Sequence, residues 1–94
     1  LPKNKLPISG VYIVKVNLDK EELNGIANMG IRPTVGGELP VLEIHLLDFS
    51  QSIYGRTLTV EFLKKVRDEK KFENINALKE QIFKDISTAK KYFV

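Results

Sequence analysis

The sequence predicts a small, mainly β domain packed by one C-terminal amphipathic helix. Three observations lead there. Val11–Leu18 is rich in β-branched and aromatic residues, Leu42–Leu46 and Thr57–Leu63 alternate with a period of two, and an apolar stripe at steps of three and four runs from Ile75 to Phe93. With 94 residues there is room for one core and one domain, spanning 1–94. Within it the strands occupy about 10–63, a connector 64–73, and the helix about 75–93.

Leu1–Ser9 carries two prolines and reads as a loop leading into the domain. Gly10 opens the first strand, Val11–Leu18. Asp19–Glu22 is a polar turn, so a hairpin leads into a weaker second strand, Leu23–Met29, where Asn24 and Gly25 suggest a bulge. Gly30–Pro40 holds three glycines and two prolines and is expected to be an irregular loop. Val41–Phe49 is the next strand. It points Leu42, Ile44 and Leu46 one way and Glu43 and His45 the other, the latter two about 7 Å apart along the strand.

Ser50–Arg56 is a turn, and Thr57–Leu63 is a strand that sends Leu58, Val60 and Phe62 to the core. Lys64–Glu73 is charged and expected to be irregular, anchored by Val66 and Phe72. Asn74 is a natural N-cap, because its side-chain oxygen can accept from a backbone N–H two or three residues on. Ile75, Leu78, Ile82, Ile86, Ala89 and Phe93 then form the apolar stripe, expected to pack on the sheet. Lys79, Glu80, Lys84, Lys90 and Lys91 lie opposite.

Composition excludes several functions. No cysteine means no disulfide framework and no thiolate metal site, which fits a cytoplasmic location. No apolar run approaches membrane-spanning length, so no membrane partner is expected. The net charge of +3 is mild, and the C-terminal lysines alternate with acids. That is a solvated face, not a continuous basic stripe, and no nucleic-acid partner is expected. The absence of an initiator methionine suggests a piece of a longer protein. A single histidine argues against a His/Cys metal cluster and supports no triad, and neither a P-loop nor a G-x-G-x-x-G turn is present. What remains is a carboxylate on a strand, Arg32 in a Gly/Pro stretch, and a basic connector. An ionised carboxylate only accepts hydrogen bonds and can take a proton from a hydroxyl held against it, while arginine offers a planar fork to anions. On spacing alone, Glu43 is either a solvated sheet residue or a general base.

Longer motifs separate these readings. Gly25–Gly37 resembles the GxANxGxRPTxGG segment of bacterial riboflavin kinases, and Leu42–Phe49 is similar to their LExHLLDF strand. Ile53-Tyr54-Gly55 with Val60–Leu63 resembles LYGxxLxVEFL, and Arg67–Phe72 resembles RxExKF. The motifs occur in the family's order over residues 10–93. The resemblance implies a riboflavin-kinase-like Greek-key β-barrel, partial here, packed by the helix, as in the C-terminal module of bifunctional FAD synthetases. It implies transfer of the ATP γ-phosphate to the ribityl hydroxyl of riboflavin, giving FMN and ADP, with Glu43 as the catalytic base. It also implies flavin contacts from Asn28, Gly30, Arg32, Pro33, Thr34, Arg67 and Phe72. The family's GxPTAN motif, which organises Mg²⁺ and the nucleotide phosphates, has no counterpart here. The ligands for Mg²⁺ and ATP are therefore expected upstream, in the N-terminal part of the same protein, with no metal ligand in this chain. The fragment alone is expected to be inactive. The alternative is a non-catalytic flavin-binding or regulatory barrel, and a small barrel used for protein contacts is a third reading.

Overall fold

The computed structural model describes residues 9–48 and 57–94. The expected entry loop, Leu1–Ser9, lies outside them except for Ser9, and so do the turn at 50–56 and the Ile53-Tyr54-Gly55 motif. Four strands, β1 (Gly10–Leu18), β2 (Glu21–Thr34), β3 (Gly37–Leu46) and β4 (Leu58–Arg67), precede one helix, α1 (Ile75–Tyr92). The strands form one antiparallel sheet in the order β3-β2-β1-β4. Three hairpin-connected strands followed by a fourth that returns beside the first is the Greek-key arrangement. Among the described residues, β3 and β4 remain the two outer strands of the sheet.

The β1–β2 hairpin closes tightly. Leu18 pairs with Glu21, leaving Asp19 and Lys20 as a two-residue turn in which Asp19 adopts a φ of 57°. Such turns need left-handed backbone, which Asp tolerates better than most residues. The register runs unbroken past Gly25, so the bulge expected there is absent. A Cβ on Gly25 would lie 2.9 Å from the His45 carbonyl oxygen. The glycine permits close approach of β3 and does not kink β2.

The irregular loop expected over Gly30–Pro40 is corrected by the structure. Pairing continues from Gly30↔Val41 to Thr34↔Gly37, with only Val35 and Gly36 left as the turn. The prolines do not break the ladder because each has a free side. Pro40 lies on outer strand β3, and Pro33 lies beyond Met29, the last β2 residue paired with β1. At its other end β3 stops at Leu46, before the expected Phe49, and Asp48 turns the chain with a φ of 53°.

A second correction concerns β4, which takes in four residues expected to be irregular. Register shifts between the Val11 and Tyr12 pairings and between Ile13 and Val14 leave Val66 and Leu63 as extra residues on β4. Both pack against the helix-side core while Lys64 and Lys65 stay exposed. Bulges on an outer strand absorb the charged residues without ending the pairing.

The sheet carries apolar residues on both faces. Val11, Ile13, Ile26, Leu47 and Ala89 form the core under the helix, joined by Leu63, Val66, Ile86 and Phe93. On the other face Val14, Val16, Ala27 and Leu46 collect Tyr12, Ile44, Leu58, Val60 and Phe62, with Tyr12 edge-on to Phe62. Asn74 caps α1 as expected, its side chain accepting from the Ala77 N–H at 2.9 Å. The apolar stripe, however, is only half covered. Ala89 is fully buried whereas Ile75 is 67% exposed, so the C-terminal half of α1 packs and the N-terminal half overhangs. Among the described residues no helix is long and apolar enough to cross a membrane.

Candidate functional site

Directly paired residues of antiparallel strands share a face. The pairs Ile13↔Ile26 and Ile26↔His45 place His45 on the helix side of the sheet, and Val11↔Asn28 and Asn28↔Glu43 do the same for Glu43. The polar face of β3 is thus continuous with the helix-side core, but it lies where α1 has lifted away. A cleft of about 850 Å³ fills that space. Its floor is the sheet, one wall is Leu78, Ile82 and Ile86 of α1, and its rim is the connector from Glu69 to Phe72. The uncovered half of the helical stripe is therefore a cleft wall.

Within the cleft, Glu43 does not stand alone. Arg32 sits on the same face of β2, and its Nη2 donates to Glu43 Oε1 at 3.0 Å while Nη1 donates to Glu69 Oε1 at 2.8 Å. One guanidinium brackets two carboxylates. The hydrogen bond that Arg32 donates to Glu69, partly opposed by desolvation and supported by the one it donates to Glu43, holds Arg32 charged even more firmly than an ordinary arginine. Gly30, two residues before Arg32, makes room: a Cβ there would collide with the Glu69 carboxylate. Glu43 is the most exposed of the three, at 61% of its side chain. Ion pairs this open contribute about 0.2–1 kcal/mol each, so the bracket is a weak source of stability.

Arg67 is held differently. Its Nε donates to both carboxylate oxygens of Asp85, at 3.1 and 3.2 Å, and Nη2 donates to Oδ2 at 2.8 Å. Gln81 donates to the same carboxylate at 3.0 Å, and Asp85 is only 5% exposed. The pair ties the end of β4 to the middle of α1 beneath the cleft. The Phe72 ring lies 5.8 Å from the Arg67 guanidinium and 5.7 Å from the Lys70 ammonium, which holds the rim against the wall. Asn28 contributes a different feature. Its side-chain oxygen is buried without a hydrogen-bond partner, an uncommon and costly state for a polar atom.

Of the eight sequence-selected residues, Asn28, Arg32, Pro33, Glu43, Arg67 and Phe72 line this one cleft. Gly30 lies beneath Glu69, and Thr34 is exposed at the hairpin tip, paired with Gly37 and outside the lining. Glu69 and Asp85 were not visible as site residues in the sequence. Asp85 had a usable signal, since it falls three residues after Ile82 within the apolar stripe. Glu69, one acid among alternating charges, had none. Among the described residues no group of three metal-ligating side chains comes together, and Arg32 already engages Glu43 and Glu69. These residues do not fit a Mg²⁺ site.

Comparison with known proteins identifies the family. The riboflavin kinase (flavokinase) family model matches residues 1–93. A bifunctional riboflavin kinase/FMN adenylyltransferase of Haemophilus influenzae is 56% identical over 88 residues, covering 93% of this chain and 29% of that protein. Its counterpart in Escherichia coli K12 is 46% identical, covering 93% and 28%. An RNA-binding riboflavin kinase of Bacillus subtilis is 41% identical over 86 residues, 90% of this chain and 37% of its own. A solved structure of a macrolide-efflux protein from Streptococcus pneumoniae superposes with a TM-score of 0.82 at 32% identity, covering 92% of this chain and 28% of that one. The chain thus spans less than a third of the first two relatives' length. With a matching family model over nearly its whole length and relatives well above 40% identity, the chain belongs to the riboflavin kinase family.

Proposed function

We propose that this chain is the flavin-side, base-bearing part of a riboflavin kinase within a longer bifunctional enzyme. That enzyme transfers the ATP γ-phosphate to the ribityl 5′-hydroxyl of riboflavin and then adenylylates the FMN. The observation that carries the reading is Glu43, a half-open carboxylate oriented by Arg32 at the mouth of a mixed apolar and polar cleft. The cleft's chemistry suits a flavin. Ile26, Leu78, Ile82 and Phe72 offer apolar surface to a flat ring system, and the orphaned Asn28 oxygen is an acceptor for a ring N–H.

In this scheme Glu43 takes the proton of the 5′-hydroxyl as its oxygen bonds to the γ-phosphorus and the bond to ADP breaks. Arg32 fixes one carboxylate oxygen, so the base meets the hydroxyl in one orientation. Mg²⁺ and the nucleotide phosphates belong to residues upstream of this chain, and a cytoplasmic location goes with ATP as phosphate donor. Glu43→Gln in the full-length protein is expected to lower FMN formation by about 10²–10⁴-fold with riboflavin affinity kept within a few-fold, measured by steady-state kinetics and flavin fluorescence titration. Near-normal turnover would remove Glu43 from the mechanism. A non-catalytic flavin-binding barrel instead leaves the full-length protein without FMN formation even before mutation.

A further inference from the structure

Glu69 lies outside the chemistry just described, yet it is where the bracket is anchored. Arg32 and Glu43 are not a cross-strand pair: Arg32 pairs with Leu39 and Glu43 with Asn28, four residues away along β2. To reach Glu43, the arginine must lie back along the sheet over Gly30, which contributes no side chain. The Glu69 carboxylate occupies the space over Gly30 and takes Nη1 at 2.8 Å, the shorter of the two carboxylate contacts. A flexible side chain with one end pinned loses rotamers it would otherwise sample. Here the pinned state is the one that presents Nη2 to Glu43.

We infer that Glu69 is a positioning residue for the kinase reaction: it holds Arg32 in the orientation that fixes the Glu43 carboxylate towards the substrate hydroxyl. The inference rests on the proposed role of Glu43 as base. The partial exposure of all three side chains argues against a purely structural purpose, since such pairs add little to stability. Glu69 reaches the bracket from the connector, which also carries Lys70, Lys71 and Phe72 on the cleft rim. The position of the base is therefore coupled to the seating of that rim, and a substrate that orders the rim also orders Glu43.

The test is Glu69→Gln in the full-length protein, alone and combined with Glu43→Gln. The single variant is expected to lower kcat for FMN formation about tenfold, a share of the hundredfold or more that a positioned base supplies, with KM for riboflavin changed less than twofold. In the Glu43→Gln background the same change is expected to have no further effect, because a residue that acts through the base has nothing left to position. Gly30→Ala, which displaces the Glu69 carboxylate without deleting it, is expected to reproduce the kcat loss. Wild-type kcat in both Glu69→Gln and Gly30→Ala overturns the inference, as does an equal loss with and without Glu43. If Glu43→Gln alone retains turnover, it is the base assignment that fails, a result separable from the others.

Discussion

Two arginines on one face of the sheet show how differently a charge is used at the two ends of a cleft. Arg32 is partly solvated and divides itself between Glu43 and Glu69. Arg67 is committed to Asp85, whose remaining hydrogen bonding comes from Gln81. Both were plausible ligand contacts in sequence, but only Arg32 presents its charge beside the proposed base. Arg67 lines the cleft as well, and it bolts β4 to α1. Replacing Asp85 by Ala strands a guanidinium whose side chain is 20% exposed, and such a loss costs about 3–5 kcal/mol. An unfolding free energy from urea titration lowered by that amount is the expected outcome. A value within about 1 kcal/mol of wild type would show that water reaches Arg67 freely. The Asp85 partnership was hidden because no sequence spacing links residues 67 and 85. Their meeting depends on β4 extending to Arg67 and on the angle at which α1 returns.

At the scale of elements, sequence patterns were reliable where one local interaction dominates. The helix starts where Asn74 can cap it, and Asn74→Ala is expected to destabilise its first turn by about 1 kcal/mol. Faster amide exchange at Ala77, whose N–H the Asn74 side chain accepts, checks this directly. Patterns misled where composition was read without the neighbouring strand. Glycines and prolines at 30–40 resemble a loop, but each proline sits where one side of its strand has no partner to lose. Lys64 and Lys65 look irregular, yet β4 keeps them paired with β1 by bulging at Leu63 and Val66. Gly25 suggests a bulge in sequence, but in the sheet it accommodates the His45 carbonyl. In each case the missing information was which strand lies alongside. The half-covered helical stripe follows the same rule: periodicity reports an apolar face, and only packing shows that Leu78 and Ile82 border a cleft.

For the whole molecule, the Greek-key order leaves β3 and β4 as outer strands among the described residues, and the strand that carries the proposed base is one of them. Outer strands invite pairing, and in the proposed reading the cleft takes the phosphate acceptor while the ligands for the donor lie upstream. Residues 1–94 alone are therefore expected to give no detectable ATP-dependent FMN, while the full-length protein turns over. Comparable rates from the two would place the nucleotide ligands in this chain. Flavin titration of the fragment is a separate measurement, expected to show binding through Asn28 and the apolar cleft walls.

Much of this protein was determined by its sequence alone. The alternation of β1 and β4, the capped helix and the ordered motifs around Glu43 are local signals, and local geometry is enough to read them. The tertiary structure decided the rest. It continued β2 and β3 through the Gly/Pro stretch, turned half a helical stripe into a cleft wall, and bound Arg67 to Asp85. It also brought Glu69 from 37 residues away to the arginine that holds Glu43. Those outcomes depend on which residues lie across a sheet or beneath a helix, and side chains far apart in the chain become chemical partners only when backbone pairing sets the distance between them.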